Sequence, residues 1–362
     1  MPRTDGTDAL PTVLVTVDGL RAAALGAYGQ TAYETRAFDA VAAAGATLDW
    51  CYAPTPDPLD LVAALGPSLG GYSLVTDDAP LAAAAERWVE HAEAFAAPAP
   101  DAVAETLGGA SQSAVWLRFA EAMVASPAAD GAGLWLHTRG LLGPWDAPAE
   151  LLDGLLDEED PAPELDPRPA TAEGLADDDA DARFAAACRY AMQVRVLDAC
   201  LGSWLELADA VMEGSRWRLV LAGVGGYSLG EHGAIGASDP RLYSERQHAP
   251  VLIRDGRPET RFTRDARLLR LDDALRESIG GQRASSGRLR LTSASGAAVL
   301  RREDWMLRRP APEEEGPAEL YAKPDDRWEQ NDVASIERSL VDALLAELAG
   351  EESGVAAGRD GL

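Results

Sequence analysis

The stretch PTVLVTVDGLRAAALGAYG, residues 11–29, decides the fold class of this chain. From position 12 to 17 every residue is apolar or β-branched, the composition of a strand buried on both faces. Helical character follows through Leu25, and a second helical run covers residues 38–44. A buried strand feeding a helix is the opening unit of a doubly wound α/β sheet. The same strand signal returns at residues 72–76, 133–137, 217–222 and 250–254, with Ala-rich helical segments between them. This alternation predicts a mainly parallel central sheet with helices on both faces.

Two segments interrupt the rhythm. Residues 96–104 are rich in Ala and Pro, and residues 157–181 mix Pro with many Asp and Glu, so both read as exposed loops. Long helical character at 183–211 makes the acidic stretch an insertion before a helix and not a domain boundary. Beyond about residue 280 the texture changes to short strand-like runs (288–292, 297–301 and 305–308) and a terminal helix over 336–348. The expected organisation is an α/β domain over 1–280 and a small C-terminal unit over 281–362, an antiparallel sheet with one helix.

Composition narrows the function classes. The 362 residues carry 32 Lys plus Arg against 60 Asp plus Glu, a formal charge of −28. Such a surface repels phosphate backbones and anionic membranes, so neither nucleic acid nor membrane is an expected partner. Nearly all the positive charge is Arg, and Lys323 is the single lysine. Cys51, Cys188 and Cys200 include no CxxC pair and read as buried free thiols. The N-terminal MPRTDGTDAL lacks the basic-then-apolar pattern of a signal peptide, and no apolar run reaches 18 residues, which gives a cytoplasmic expectation.

Five blocks, in order along the chain, resemble the sulfatase family of the sulfatase and alkaline-phosphatase superfamily. The first is TVDGLRAAALGAYG (16–29) with AFDAVAAAGATLDWCYAPTP (37–56), and the second is LWLHTRGLLGPWDAP (134–148). LVLAGVGGYSLGEHG (219–233) and LYSERQHAPVLIRDG (242–256) are the third and fourth. AVLRREDWMLRRP with ELYAKPDDRWEQNDVA (319–334) closes the set. The resemblance implies an alkaline-phosphatase-like fold and an ancestral chemistry of ester hydrolysis. In that chemistry a cysteine-derived formylglycine works beside a Ca or Mg ion, held by hard oxygen ligands and neutralised by cationic side chains.

Measured against that implication, the chain has lost most of the machinery. After the APTP run the chain continues Asp57, Pro58, Leu59, Asp60, Leu61, Val62, without the Cys and Arg of the family's motif. Asp18 occupies the first metal-ligand position, but its neighbour is Gly19, and the later Asp-His pair is replaced within Ala222, Gly223, Val224, Gly225 and Gly226. His137 survives, whereas the following Asp-Pro-His positions are Gly140, Leu141 and Leu142. Arg139, Arg246 and His248 are the remaining cations near these blocks and read as surface or loop residues. Cys51 reads as structural, Thr55, Asp57 and Asp60 as turn and helix-start residues, and His232 as a structural histidine in its turn.

The resulting expectation is a catalytically silent sulfatase-like protein, with no cofactor, that acts as a binding or regulatory partner of an unknown protein or a small anionic ligand. The alternative is an active sulfate- or phosphate-ester hydrolase with a site rebuilt from Asp18, Asp57, Asp60, His137 and His232 around a Ca or Mg ion. It requires those side chains to converge on one cation.

Overall fold

The computed structural model describes residues 10–125, 133–172, 179–255 and 262–359, with side chains as far as residue 350. The chain begins with β1 (Thr12–Asp18), α1 (Arg36–Ala43), β2 (Ala46–Tyr52), α2 (Pro58–Leu65), β3 (Tyr72–Thr76), α3 (Ala79–Ala85) and β4 (His91–Ala94). It continues with α4 (Ser111–Ala125), β5 (Gly133–Thr138), α5 (Ala180–Val211), β6 (Arg218–Val224), the two-residue strands β7 (Ser228–Leu229) and β8 (Ile235–Gly236), and α6 (Ser244–Gln247). The main sheet is then completed by β9 (His248–Asp255) and β10 (Thr263–Arg270), followed by α7 (Leu271–Ser278). The C-terminal strands are β11 (Arg288–Thr292), β12 (Ala298–Arg302), β13 (Trp305–Arg309) and β14 (Glu319–Ala322), and α8 (Arg338–Arg359) ends the chain.

Eight strands form the central sheet in the order β10-β2-β9-β6-β1-β5-β3-β4. β1 is central, parallel to β5 and β6, and all seven of its residues are buried, as its unbroken apolar and β-branched run requires. The expected mainly parallel sheet is therefore present, with one reversal: β9 runs antiparallel to both β2 and β6. No crossover helix carries the chain back between β6 and β9, only the β7–β8 ribbon and the one-turn α6, so the next strand must return in the opposite direction.

Helices cover both faces. On one, α1, α4 and α5 pack Phe38, Trp116, Phe119, Leu197, Leu201 and Trp204 against Val13, Val15 and Val17 of β1. On the other, Val62, Leu65, Leu81, Leu271 and Leu275 meet Leu14, Trp135 and Val220. Each such fully buried side chain is worth about 1.5–3 kcal/mol. The helix expected through Leu25 is instead two 3-10 turns, Ala22–Ala24 and Gly26–Tyr28. Side chains of α1 and its cap take the backbone donors there: Thr35 Oγ1 accepts from Gly26 N at 2.9 Å and Asp39 Oδ1 from Ala27 N at 2.7 Å.

The acidic insertion is less free than its composition suggests, although residues 173–178 lie outside the described ones. Pro167 O accepts from Trp145 N at 2.7 Å, Ala170 O from the Tyr227 hydroxyl at 2.5 Å, and Ala172 bridges Ile235. Among the described residues no helix is long and apolar enough to cross a membrane.

The small sheet has the order β11-β12-β13-β14, all antiparallel. Alternation along β12 and β13 splits its faces. Ala298, Leu300, Leu307 and Leu320 pack beneath Leu344 and Leu348 of α8, while Leu289, Leu291, Val299, Met306 and Tyr321 pack on Tyr52, Leu242, Tyr243 and Leu268 of the main body.

His248, read from the sequence as a surface or loop residue, is buried at the start of β9. Its ring stacks against Trp50 and Tyr52 at 5.5 and 5.1 Å, and its Nε2 lies 2.8 Å from Asp49 O. Burial is the main influence on its basicity, reinforced by Arg327, Arg301 and Lys323 and opposed by the bond to Asp49, and the pKa falls to about 3. An unfolded histidine takes up its proton near pH 6.5, so stability is expected to fall as pH drops from 6.5 toward 3. Between pH 7 and pH 5 the loss from this residue is about 2 kcal/mol. Urea unfolding of wild type and His248→Phe at the two pH values checks it: the wild type should lose about 2 kcal/mol more, and equal losses would refute the assignment.

Candidate functional site

In an open α/β sheet, ligands bind at the carboxyl ends of the strands, and here those ends belong to β1, β3, β5 and β6. Asp18 terminates β1 between the ends of β5 and β6, paired in register with Val224. His137 is the penultimate residue of β5, directly beside Thr16. Asp78 follows β3 and caps α3, where its Oδ1 accepts from Leu81 N at 3.0 Å. One ligand atom from each of Asp18, Asp78 and His137 lies within 4.8 Å of the other two.

The surroundings hold this trio firmly. His137 Nδ1 lies 2.9 Å from Thr16 Oγ1, which also accepts from Trp135 Nε1 at 2.8 Å. Asp77 ties the turn after β3 to the turn after β5, accepting from Arg139 N at 2.9 Å and from Thr138 Oγ1 at 3.3 Å. His137 is fully buried and Asp18 is 1% exposed. Burial raises the Asp18 carboxyl above its usual range, against the pull of His137. For His137, burial alone would lower the imidazolium, but the neighbouring Asp18, with Asp77 and Asp78 beyond it, turns the net shift upward. Asp18 Oδ1 and His137 Nε2 are nonetheless buried without a hydrogen-bond partner.

The other candidates are elsewhere and engaged. Asp57 is the N-cap of α2, accepting from Leu59 N at 2.9 Å, and Asp60 Oδ2 accepts from the Thr55 hydroxyl at 2.7 Å. His232 stacks face to face on Tyr243 at 3.6 Å, with Nδ1 2.8 Å from Glu245 Oε1 and Nε2 3.1 Å from Glu329 O. The structure thus brings Asp18 and His137 together and leaves Asp57, Asp60 and His232 out of their cluster. Asp78 escaped the sequence reading. Its signal was available: an Asp-Asp pair directly after a strand and before an Ala-rich helix, at the edge where such sheets bind ligands. Arg246, also read as a surface or loop residue, is buried, and its guanidinium donates to Gly226 O. Cys51 is a buried free thiol in β2, and burial pushes its pKa up, away from nucleophile chemistry.

Packing is tight around the two glycines at this edge of the sheet. A Cβ on Gly225, whose φ is +63°, would stand 2.7 Å from Pro56 Cβ and 2.9 Å from Pro56 Cα. A Cβ on Gly19 would stand 3.0 Å from Leu141 Cβ and 3.1 Å from Leu142 Cδ2. Beside Val224 a cavity of about 200 Å³ opens, with Pro54, Thr55, Asp60 and Arg270 among its walls. A cavity of about 430 Å³ has walls formed mainly by apolar groups, among them Tyr33, Phe184, Leu229 and Trp328. Its two charges, Arg21 and Glu231, pair with each other at 2.5 Å.

No family model matches the chain, and no curated protein matches it significantly. Solved structures do. The phosphonate monoester hydrolase of Agrobacterium radiobacter superposes with a TM-score of 0.66 at 14% identity, over 95% of this chain and 96% of that one. A putative sulfatase from Bacteroides thetaiotaomicron gives 0.66 at 14% identity, over 98% and 93%. A putative sulfatase from Bacteroides fragilis gives 0.62 at 12%, over 95% of both. The fold is sulfatase-like. The Ca or Mg ion which that resemblance implies does not fit its expected ligand positions here. Val224 offers no donor, Gly225 offers none and has Pro56 where a side chain would project, and Asp18 alone falls far short of the six to eight oxygens that Ca takes or the octahedron that Mg demands.

Proposed function

On a sulfatase-like fold in which Gly225, at the end of β6, packs against Pro56, we propose that this chain does not hydrolyse sulfate or phosphate esters and acts as a binding or regulatory partner. The observation that carries this reading is the contact between Pro56 and Gly225. Ester hydrolysis in this architecture needs a nucleophile poised over a cation. The turn that would carry the nucleophile is pressed instead against the glycine that replaces a ligand. The rebuilt-hydrolase alternative loses its support, because Asp57, Asp60 and His232 are each committed to structural bonds away from Asp18.

A small ligand, on this reading, would use the cavity beside Arg21. Its walls suit an apolar or amphipathic molecule better than the small anion expected from the sequence, because Glu231 already neutralises Arg21. The test is turnover of aryl sulfate and aryl phosphate esters by purified protein, with and without added Ca, Mg, Mn or Zn. The expected rate equals the buffer background. Robust turnover that disappears in Asp18→Ala would overturn the reading.

A further inference from the structure

We propose that Asp18, Asp78 and His137 form a binding site for one small transition-metal dication of the zinc class. The site goes beyond the functional reading above and shares only Asp18 with the Ca or Mg position that the fold family implies.

Distance is the first argument. His137 Nε2 and Asp18 Oδ2 are 3.5 Å apart. That is outside the 2.7–3.2 Å of an N–H···O hydrogen bond, and neither Asp18 Oδ1 nor His137 Nε2 has any other hydrogen-bond partner. Two ligands about 2.1 Å from a tetrahedral ion stand about 3.4 Å apart. The observed spacing is therefore that of neighbouring ligands on such an ion. An isolated Asp–His pair would shorten to a hydrogen bond, since nothing else compensates these buried atoms.

Chemistry is the second. Two carboxylates and one imidazole are borderline ligands that suit Zn and its neighbours, whereas Ca and Mg demand more oxygens. To bind through Nε2, His137 must carry its proton on Nδ1, and Thr16 Oγ1 lies 2.9 Å from that atom as acceptor. Asp78 spends Oδ1 on the α3 cap, and its second oxygen makes no hydrogen bond among the described residues. It is half-buried, so it lies at the mouth of the site while the other two lie inside. Since the ligand atoms all lie within 4.8 Å of one another, drawing them to tetrahedral spacing asks for a shift of about 1 Å at most. With Leu141 and Leu142 packed over Gly19, the ion would serve to lock the ends of β1, β3 and β5 together.

The full-length chain, stripped with dipicolinate and retitrated with zinc, tests this by calorimetry and by melting temperature. Wild type should bind about one equivalent and melt higher when loaded. Asp78→Asn keeps a good helix cap but loses one charged ligand, and His137→Gln loses the imidazole. Each is expected to bind zinc at least about tenfold more weakly, and cobalt-loaded wild type should show tetrahedral visible bands that both variants lose. Should His137→Gln fail to fold, Asp78→Asn with the cobalt spectrum decides alone. A wild type that takes up no zinc, or variants that bind it as tightly, would overturn the proposal. Because the readout is binding and not turnover, its outcome is separate from that of the ester assays.

Discussion

Lys323→Met is expected to destabilise the folded chain by about 3–5 kcal/mol, the cost of stripping a buried ion pair of one partner. The single lysine of the chain is buried, and its ammonium contacts Glu329 Oε1 as well as Asp326 O at 2.5 Å. Glu329 is 2% exposed and accepts from Ser244 at both N and Oγ, at 3.1 and 2.7 Å. Burial pushes the Lys323 ammonium down and the Glu329 carboxyl up, each against the attraction of the other. Without Lys323 a carboxylate is left in a dry site between α6 and the segment after β14, where the small sheet joins the main body. Glu329→Gln should cost a similar amount, and the double variant Lys323→Met/Glu329→Gln should recover a large part of the summed losses. Urea unfolding reads all three. Additive losses under about 1 kcal/mol each would mean that the pair does not hold this junction.

Gly225→Ala is expected to cost about 2–4 kcal/mol. Part is the strain of a Cβ at φ +63°, about 1–2 kcal/mol. The rest is overpacking against Pro56, 2.7 Å from the new atom. Gly70→Ala is the control, since a Cβ there meets nothing within 4 Å, and it should be neutral or slightly stabilising. The same clash opposes any larger side chain at position 225. Val224→Asp with Gly225→His would introduce an Asp-His pair of the kind that sulfatases carry, yet it is expected to lower the melting temperature further and to bind no calcium. The new carboxylate would be buried in register with Asp18, carboxylate against carboxylate. A double variant as stable as wild type that holds stoichiometric calcium would show the site to be open.

The fold was largely legible in the sequence because its signals are local. The run over residues 12–17 could only be a doubly buried strand, and the strands at 72–76 and 288–292 lie where their composition puts them. Edge strands β4 and β10 were missed because their exposed, charged residues carry little apolar pattern. The missing side-chain ligands were also a local signal: Gly19, Val224 and Gly225 carry no side-chain ligand atom in any environment.

Everything concerning partners was decided by tertiary structure. His248 and Arg246 looked like surface cations and are buried, because β9 returns antiparallel between β2 and β6 and carries that corner inward. Lys323 looked like one residue of a C-terminal block and is half of a buried ion pair. Asp78 meets Asp18 and His137 only because β3, β5 and β1 are successive neighbours in the sheet. By itself the sequence determined which side-chain donors are absent, since a missing donor is a property of one residue. Which donors stand together had to wait for the fold, since adjacency in a parallel sheet joins residues far apart along the chain.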